Sequence, residues 1–175
     1  MSRTPSIALS GGRAVSFPEL AARYLEEYRG KIEIAIEGLS EEQIWWRPNE
    51  SSNSIGNLLL HLEGNLSLWV LGGLGRIAYQ RDRAGEFSAD HQGDGRMLGA
   101  RFATVVSRSR AVILALGDED LVRDLEIQGY EVDGLSAVMH AVEHTSYHTG
   151  QIVWIAKRFR GGGHPLEFYP QHRDE

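Results

Sequence analysis

Two histidines lie four residues apart in residues 143–151, EHTSYHTGQ, within a long run that has helical character. Because residues i and i+4 stand one above the other on the same face of a helix, His144 and His148 can both reach one metal ion. A third candidate ligand, His61, lies far upstream in a strongly apolar helical run. The pattern predicts inward-facing histidines on two helices of a bundle, forming a metal site with an open coordination position.

The same helical run also contains His140, so three histidines follow one another at steps of four residues. Each step rotates the side chain by about 40° around the helix axis, so the outer two directions differ by roughly 80°. All three cannot point equally well at one centre, and helical geometry alone leaves open which adjacent pair binds the ion. The alternative is a set of polar core residues that hydrogen-bond to one another or to the backbone. The additional inward histidine on another helix favours metal binding.

Several polar or aromatic residues are candidates for the same cavity or for hydrogen bonds to a ligand. Asn65 lies four residues after His61, and Gln151 lies three residues after His148. Each is therefore on the same helix face as that histidine. Structural packing is the alternative role for both. Glu143 is rotated away from the metal, but it could accept a hydrogen bond from a ligand histidine on a neighbouring helix. Trp46 lies in a connection and could form a pocket wall.

The composition excludes several classes of function. The chain has 175 residues, of which 42% are hydrophobic, and this predicts one domain with a substantial core. A net charge of -6 gives no electrostatic reason to expect binding to nucleic acid or to an anionic membrane. The chain has no cysteine, which excludes disulfides, cysteine-ligated zinc and a cysteine nucleophile, so thiol chemistry would need an external thiol. The start does not resemble a signal peptide, and a cytoplasmic location is the expectation.

Four long amphipathic segments with polar connections predict an all-α fold, a four-helix bundle. Residues 1–15 are expected to be a loose N-terminal segment, and residues 16–175 a single helical domain. Trp69 and Trp154 are expected in the core. The helices are predicted at about residues 16–38, 55–72, 95–116 and 135–159.

The connections between these helices contain two further features. Residues 125–132 alternate around Gln128 and Gly129, which predicts a small β-hairpin before the last helix. Residues 80–94 lack periodicity and are predicted to form a long loop in which residues 81–83 are solvated and paired with one another. A loop of that length could allow a crossover instead of a simple up-and-down order of helices.

The motifs resemble those of a known family. Residues 140–152, HAVEHTSYHTGQI, resemble the last-helix motif of the DinB-like, or YfiT-like, metal-binding bundle proteins. Residues 54–65, SIGNLLLHLEGN, are similar to the second-helix motif of that family. Residues 81–87 and 127–130 resemble patterns of one branch, the DUF1572-type group. Together these likenesses cover the chain from about residue 16 to 170.

The resemblance implies a bundle of DinB-like type that binds one divalent metal ion, zinc or nickel, through His61, His144 and His148. This choice places His140 outside the set of ligands. It also implies a homodimer, and some relatives join a low-molecular-weight thiol to an electrophile in a metal-dependent reaction.

The leading functional hypothesis is therefore a metal-dependent thiol S-transferase that takes an external small-molecule thiol and an electrophile. Three neutral histidines leave the full +2 charge at the metal, which favours an anionic fourth ligand and helps a thiol or water to lose its proton. A metal-dependent hydrolase is one alternative. The other is a non-catalytic metal-binding stress or interaction protein, in which the ion joins two helices and stabilises the folded state.

Overall fold

The computed structural model describes residues 14–160 and 166–169, and long helices make up most of this part of the chain. Most of the predicted N-terminal segment 1–15, and residues 161–165 and 170–175 of the predicted domain, lie outside the described residues. The helices are α1 (Phe17–Ile36), α2 (Glu41–Trp45), α3 (Ile55–Leu66), α4 (Arg83–Ser88), α5 (Gly95–Leu114), α6 (Asp118–Leu121) and α7 (Gly134–Lys157). Helix α3 continues into a π-helical segment (Ser67–Leu74). The strands are β1 (Asp124–Ile127) and β2 (Tyr130–Asp133). The prediction of an all-α bundle with one small hairpin is confirmed.

The four long helices pack in an order that differs from their order along the chain. Helix α1 packs against α5 and α7, and α3 packs against the same two helices. The pairs α1/α3 and α5/α7 therefore lie diagonally across the bundle. The chain crosses the bundle in the connections α1–α3 and α5–α7, whereas the long connection that includes residues 80–94 joins neighbours. The order thus departs from a simple up-and-down arrangement, but at other connections than the predicted one.

Side-chain caps determine where the long helices begin. Ser16 caps α1 in a reciprocal arrangement with Glu19, and Ser54 caps α3 in the same way with Asn57. Asp133 accepts a hydrogen bond of 2.7 Å from the backbone N–H of Ser136 at the start of α7. Each cap satisfies backbone N–H groups that have no partner inside the helix.

Apolar residues at helical spacing fill the space between the four long helices. Trp69 is buried as predicted, but Trp154 is 66% exposed and the prediction of a core position for it is wrong. Ile152 and Ile155 occupy the inward face of that turn, which leaves the indole on the outer face. The largest fully buried side chains are Leu25, Ile32, Ile44, Ile55, Leu58, Leu59, Leu62, Leu66, Leu98, Phe102, Ile113 and Ile152. Across residues 14–160 and 166–169, every helix is too short or too polar to serve as a bilayer-crossing segment.

The hairpin forms where the alternation predicts it. Ile127 pairs with Tyr130 across a two-residue turn, in which Gln128 has a φ of 55° and Gly129 a φ of 79°. Positive φ at both central positions matches the twist of two antiparallel strands. The long connection, in contrast, is not structureless, because α4 forms within it.

Candidate metal centre

Three histidines from two neighbouring helices meet at one point in the bundle. His61 comes from α3, and His144 and His148 come from α7. One ring nitrogen of each lies within 4.8 Å of the other two, and Nε2 of His61 lies 2.9 Å from Nε2 of His144. His61 and His148 are buried, and His144 is half-buried. The structure therefore brings together the three histidines that the resemblance implies, and of the two adjacent pairs on α7 it places His144 and His148 beside His61.

The chemistry of these three donors fits a divalent metal ion. Burial, followed by the influence of the neighbouring histidines and of Arg81, lowers the pKa of His144 to about 3. Burial also lowers the pKa of His148, although a hydrogen bond to Gln151 acts in the opposite direction. A neutral imidazole offers a lone pair, and zinc binds such nitrogens at about 2.0–2.1 Å. Nε2 of His61 and Nε2 of His144, which lie 2.9 Å apart, can both bind one ion at about 2.0–2.1 Å from each nitrogen.

A buried carboxylate orients His61. Nδ1 of His61 lies 2.9 Å from Oε2 of Glu86, and both side chains are less than a tenth exposed. Arg81 also lies close to this nitrogen, but its guanidinium has the Glu86 carboxylate as acceptor, so we assign the Nδ1 proton to the bond with Glu86. The lone pair is then on Nε2, which faces His144. A carboxylate behind a metal-binding histidine fixes the ring and raises its basicity as a ligand.

Glu86 is itself held in an ion pair with Arg81. Nε of Arg81 lies 2.6 Å from Oε1 and Nη2 lies 2.8 Å from Oε2, and the two side chains are only 6% and 8% exposed. Burial raises the pKa of the Glu86 carboxyl, but the hydrogen bonds from His61 and Arg81 outweigh burial and leave the pKa below its usual range. The carboxylate is therefore ionised and neutralises the arginine that accompanies it.

Helix α4 carries Glu86, and contacts with α3 fix its position. The side-chain amide of Asn57 donates hydrogen bonds of 3.0 Å to the carbonyl of Glu86 and 2.9 Å to the carbonyl of Ala89. Gly64 faces the carboxylate, and a Cβ there would lie 2.0 Å from Oε1 of Glu86. Glycine at position 64 thus allows the close approach between α3 and the ion pair.

Gln151 orients His148 in the same way. Its Oε1 lies 2.7 Å from Nδ1 of His148. Because an amide oxygen can only accept, Nδ1 carries the proton and Nε2 is free to bind a metal. Gln151 thus lies where its spacing on the helix places it, beside the histidine three residues earlier.

The remaining candidates predicted from the sequence are Asn65, His140, Glu143 and Trp46. Asn65 and His140 contact each other, with Nδ2 of Asn65 3.2 Å from Nε2 of His140. The His140 ring packs against Trp69 at 3.9 Å between centroids, and burial lowers its pKa. Glu143 is exposed. Trp46 packs edge-on against Phe159, just after the end of α7, with 5.4 Å between ring centroids.

A cavity of about 450 Å³ opens beside the histidines. The hairpin forms part of its wall through Gln128 and Tyr130, and Oε1 of Gln128 accepts a hydrogen bond of 3.0 Å from Nε1 of Trp69. This volume suits a small organic molecule. The lining includes His61, His144, Asn65, Trp69, Arg83 and Tyr130.

Sequence reasoning missed the Glu86–Arg81 pair. It predicted solvated, self-paired residues at positions 81–83, whereas Arg81 is buried against Glu86 and Asp82 caps α4. Only the likeness of residues 81–87 to a family pattern pointed to this stretch. Local periodicity could not reveal it, because α4 has six residues and is held in place by α3.

Comparison with protein families identifies the chain. The model of the family described as "Protein of unknown function (DUF1572)" matches residues 14–166. The chain belongs to the DUF1572 family. None of the curated proteins is significantly similar to it in sequence.

Solved structures share the DUF1572 chain's fold at low sequence identity. YfiT from Bacillus subtilis, described as a probable metal-dependent hydrolase with an unusual four-helix bundle topology, is 17% identical, with a TM-score of 0.67 over 87% of this chain and 95% of YfiT. A DinB-like protein from Bacillus subtilis, YjoA, is 21% identical, with a TM-score of 0.63 over 86% and 97% of the two chains. A DinB-like protein from Bacillus cereus is 13% identical, with a TM-score of 0.62 over 82% and 89%.

These likenesses confirm the resemblance to the DinB-like bundle proteins. The buried histidine cluster points to a metal site, while the identity of the metal, the homodimer and the cytoplasmic location stay predictions.

Proposed function

We propose that this protein is a metal-dependent enzyme, a thiol S-transferase that joins an external low-molecular-weight thiol to a small electrophile. The observation that carries the proposal is the meeting of three imidazoles, with ligand atoms within 4.8 Å of one another, beside a cavity of about 450 Å³. Because the chain contains no cysteine, the sulfur nucleophile must enter the cavity from outside.

His61, His144 and His148 would hold the ion, zinc or nickel in this proposal. When bound, the ion supplies a +2 charge that favours the thiolate over the thiol. Glu86 and Gln151 accept the Nδ1 protons of His61 and His148, so each ring keeps its other nitrogen turned toward the centre. The walls of the cavity hold the electrophile next to that centre and limit its contact with water.

The thiol and the electrophile are the only reactants that this reaction needs. The thiol proton leaves to solvent, the sulfur forms a bond to the electrophilic carbon, and the leaving group departs with the electron pair of the bond that breaks. With an activated alkene in place of a leaving group, the proton returns to the neighbouring carbon.

Hydrolysis is the second candidate, and the likeness to YfiT favours it. Water would then replace the thiol and would need a general base near the centre. Of the described residues that line the cavity, none is an aspartate or a glutamate, so His140, the lining histidine outside the candidate ligands, would have to act as that base. A thiol has an ordinary pKa of about 8.5, far below that of water, and needs less help to ionise. This difference in pKa supports the transferase over the hydrolase.

A purely structural ion is the third possibility, since a metal bound only by the folded state would join α3 to α7. The cavity against His61 and His144 argues for chemistry, because it gives a small molecule access to two of the three candidate ligands.

The test begins with the metal content of untagged protein that has never met a nickel column, measured by elemental mass spectrometry. We expect about one ion per chain, lost in the triple variant His61→Ala/His144→Ala/His148→Ala and retained in the control His140→Ala. Zinc-loaded protein is then incubated with cysteine or glutathione and 1-chloro-2,4-dinitrobenzene, and the thioether is followed by absorbance. Cleavage of a p-nitrophenyl ester without thiol would favour the hydrolase, and an absence of both reactions would favour the structural ion.

A further inference from the structure

We propose that the cavity beside the histidines binds a substrate that carries a carboxylate, and that Arg83 is the specificity-determining residue that pairs with it. The inference rests on the proposed function, because it names the class of substrate for the same site. It is carried by the charges of the lining, by the position of Arg83 and by an unpartnered buried amide.

The charges of the lining do not match those of the whole chain. The net charge is -6, yet the described residues that line the cavity include two arginines and no aspartate or glutamate. Glu86 neutralises the charge of Arg81. For Arg83, no carboxylate oxygen of the described residues lies within 4.0 Å of the guanidinium. One unbalanced cation therefore remains at the cavity, where it attracts anions.

The ring of Phe87 contacts both Arg83 and His61, which is a candidate metal ligand. The guanidinium carbon of Arg83 is 5.1 Å from the centroid of the Phe87 ring, and Phe87 packs against His61 at 4.7 Å between centroids. A cation–π contact of this kind at an exposed site is weakly attractive and favours this position of the guanidinium. Arg83 is exposed and lines the cavity, so a ligand that enters can reach it from solvent. The positive charge of Arg83 would attract an anionic group on a molecule held at the histidines.

Asn65 offers a hydrogen bond to the uncharged part of such a ligand. The residue is only 3% exposed, and Nδ2 contacts His140 while Oδ1 has no partner among the described residues. Turning the amide around would exchange the two atoms and leave the nitrogen unpartnered instead. In either orientation a buried polar atom at the cavity lacks a partner, which is costly unless a ligand or a water supplies one.

The test compares two thiols of similar shape, one with a carboxylate and one with an uncharged amide. Zinc-loaded protein is titrated with 3-mercaptopropionate and with 3-mercaptopropanamide in a calorimeter, and each dissociation constant is measured for the wild type, Arg83→Gln and Arg108→Gln. Arg108 is an exposed arginine of α5 outside the cavity, so its variant controls for the loss of one positive charge. For a partly exposed ion pair we expect the acid to bind about fivefold more tightly than the amide. The preference should vanish in Arg83→Gln and persist in Arg108→Gln.

Different results would overturn the role of Arg83 and the thiol function. An acid-to-amide preference that is the same in Arg83→Gln as in the wild type would overturn the role of Arg83 while leaving the thiol function standing. If neither thiol binds, the transferase is wrong, and the anion site is tested by itself with 3-phenylpropionate and 3-phenylpropanamide. A shift of the Arg83 Nε–H resonance with the acid, and none with the amide, would uphold the carboxylate site. No shift with either would overturn it.

Discussion

Replacing Glu86 by glutamine separates the contribution of this carboxylate to folding from its contribution to metal binding. Glutamine has nearly the same shape but no charge, so the buried guanidinium of Arg81 loses its counter-ion. His61 loses the anionic acceptor behind Nδ1 at the same time. The variant should therefore be less stable without metal and should also bind metal more weakly.

The two effects have different sizes. Removing one partner of a buried ion pair costs about 3–5 kcal/mol, and the side chains here are only 6% and 8% exposed. In a domain of this length that corresponds to a fall of roughly 6–20 °C in Tm. Loss of a hydrogen-bond acceptor behind a metal ligand weakens metal binding by about 10–100-fold. In saturating zinc this removes about a further 1.4–2.7 kcal/mol of stabilisation.

The assay is urea unfolding of the wild type and Glu86→Gln, once in EDTA and once in buffered zinc. The matched control is Glu63→Gln, because Glu63 also pairs with an arginine, Arg101, at 2.9 Å, but with side chains 26% and 46% exposed. An exposed pair of this kind contributes about 0–1 kcal/mol, so the control should lose little and should respond to zinc as the wild type does.

Two results would refute this reasoning. Equal, small losses in Glu86→Gln and Glu63→Gln in EDTA would mean that the buried pair does not hold α4 against the bundle. A loss in Glu86→Gln that is the same in EDTA and in zinc would mean that the carboxylate does not act on the metal ligand.

Three other substitutions test the site. Gly64→Ala places a Cβ 2.0 Å from Oε1 of Glu86 and should lower the free energy of unfolding by about 1–3 kcal/mol in urea denaturation. In the control Gly150→Ala the added Cβ meets open space, so the same assay should show a slightly higher free energy of unfolding. His148→Ala should lower the metal content and should lower Tm in zinc-replete buffer, and unchanged metal content would remove His148 from the ligands. Gln151→Leu should weaken zinc binding about 10–100-fold in a competition titration with a chelator, with Tm in EDTA nearly unchanged; a large fall in Tm there would assign Gln151 to packing instead.

The long helices were predictable because their information is local. The predicted start of α1 at Ser16 and the end of α5 near Leu116 lie within two residues of the observed bounds. Caps and apolar spacing act within a few residues, so they can be read along the chain. The hairpin was predictable for the same reason, since Gln128 and Gly129 specify its two-residue turn.

The amino-acid sequence is enough to show that histidines at four-residue steps share one face of α7, because the pitch of a helix decides that without any partner. It could not determine which adjacent pair faces His61, since the rotation of α7 about its own axis depends on how its apolar residues pack against α1 and α3. It could not reveal that Glu86 lies behind His61 either. That contact joins residues 25 positions apart and exists only because Asn57 and Gly64 hold a six-residue helix against α3. Contacts of this kind arise from packing between elements that are distant along the chain, so they can be recognised in the folded molecule but not in its sequence.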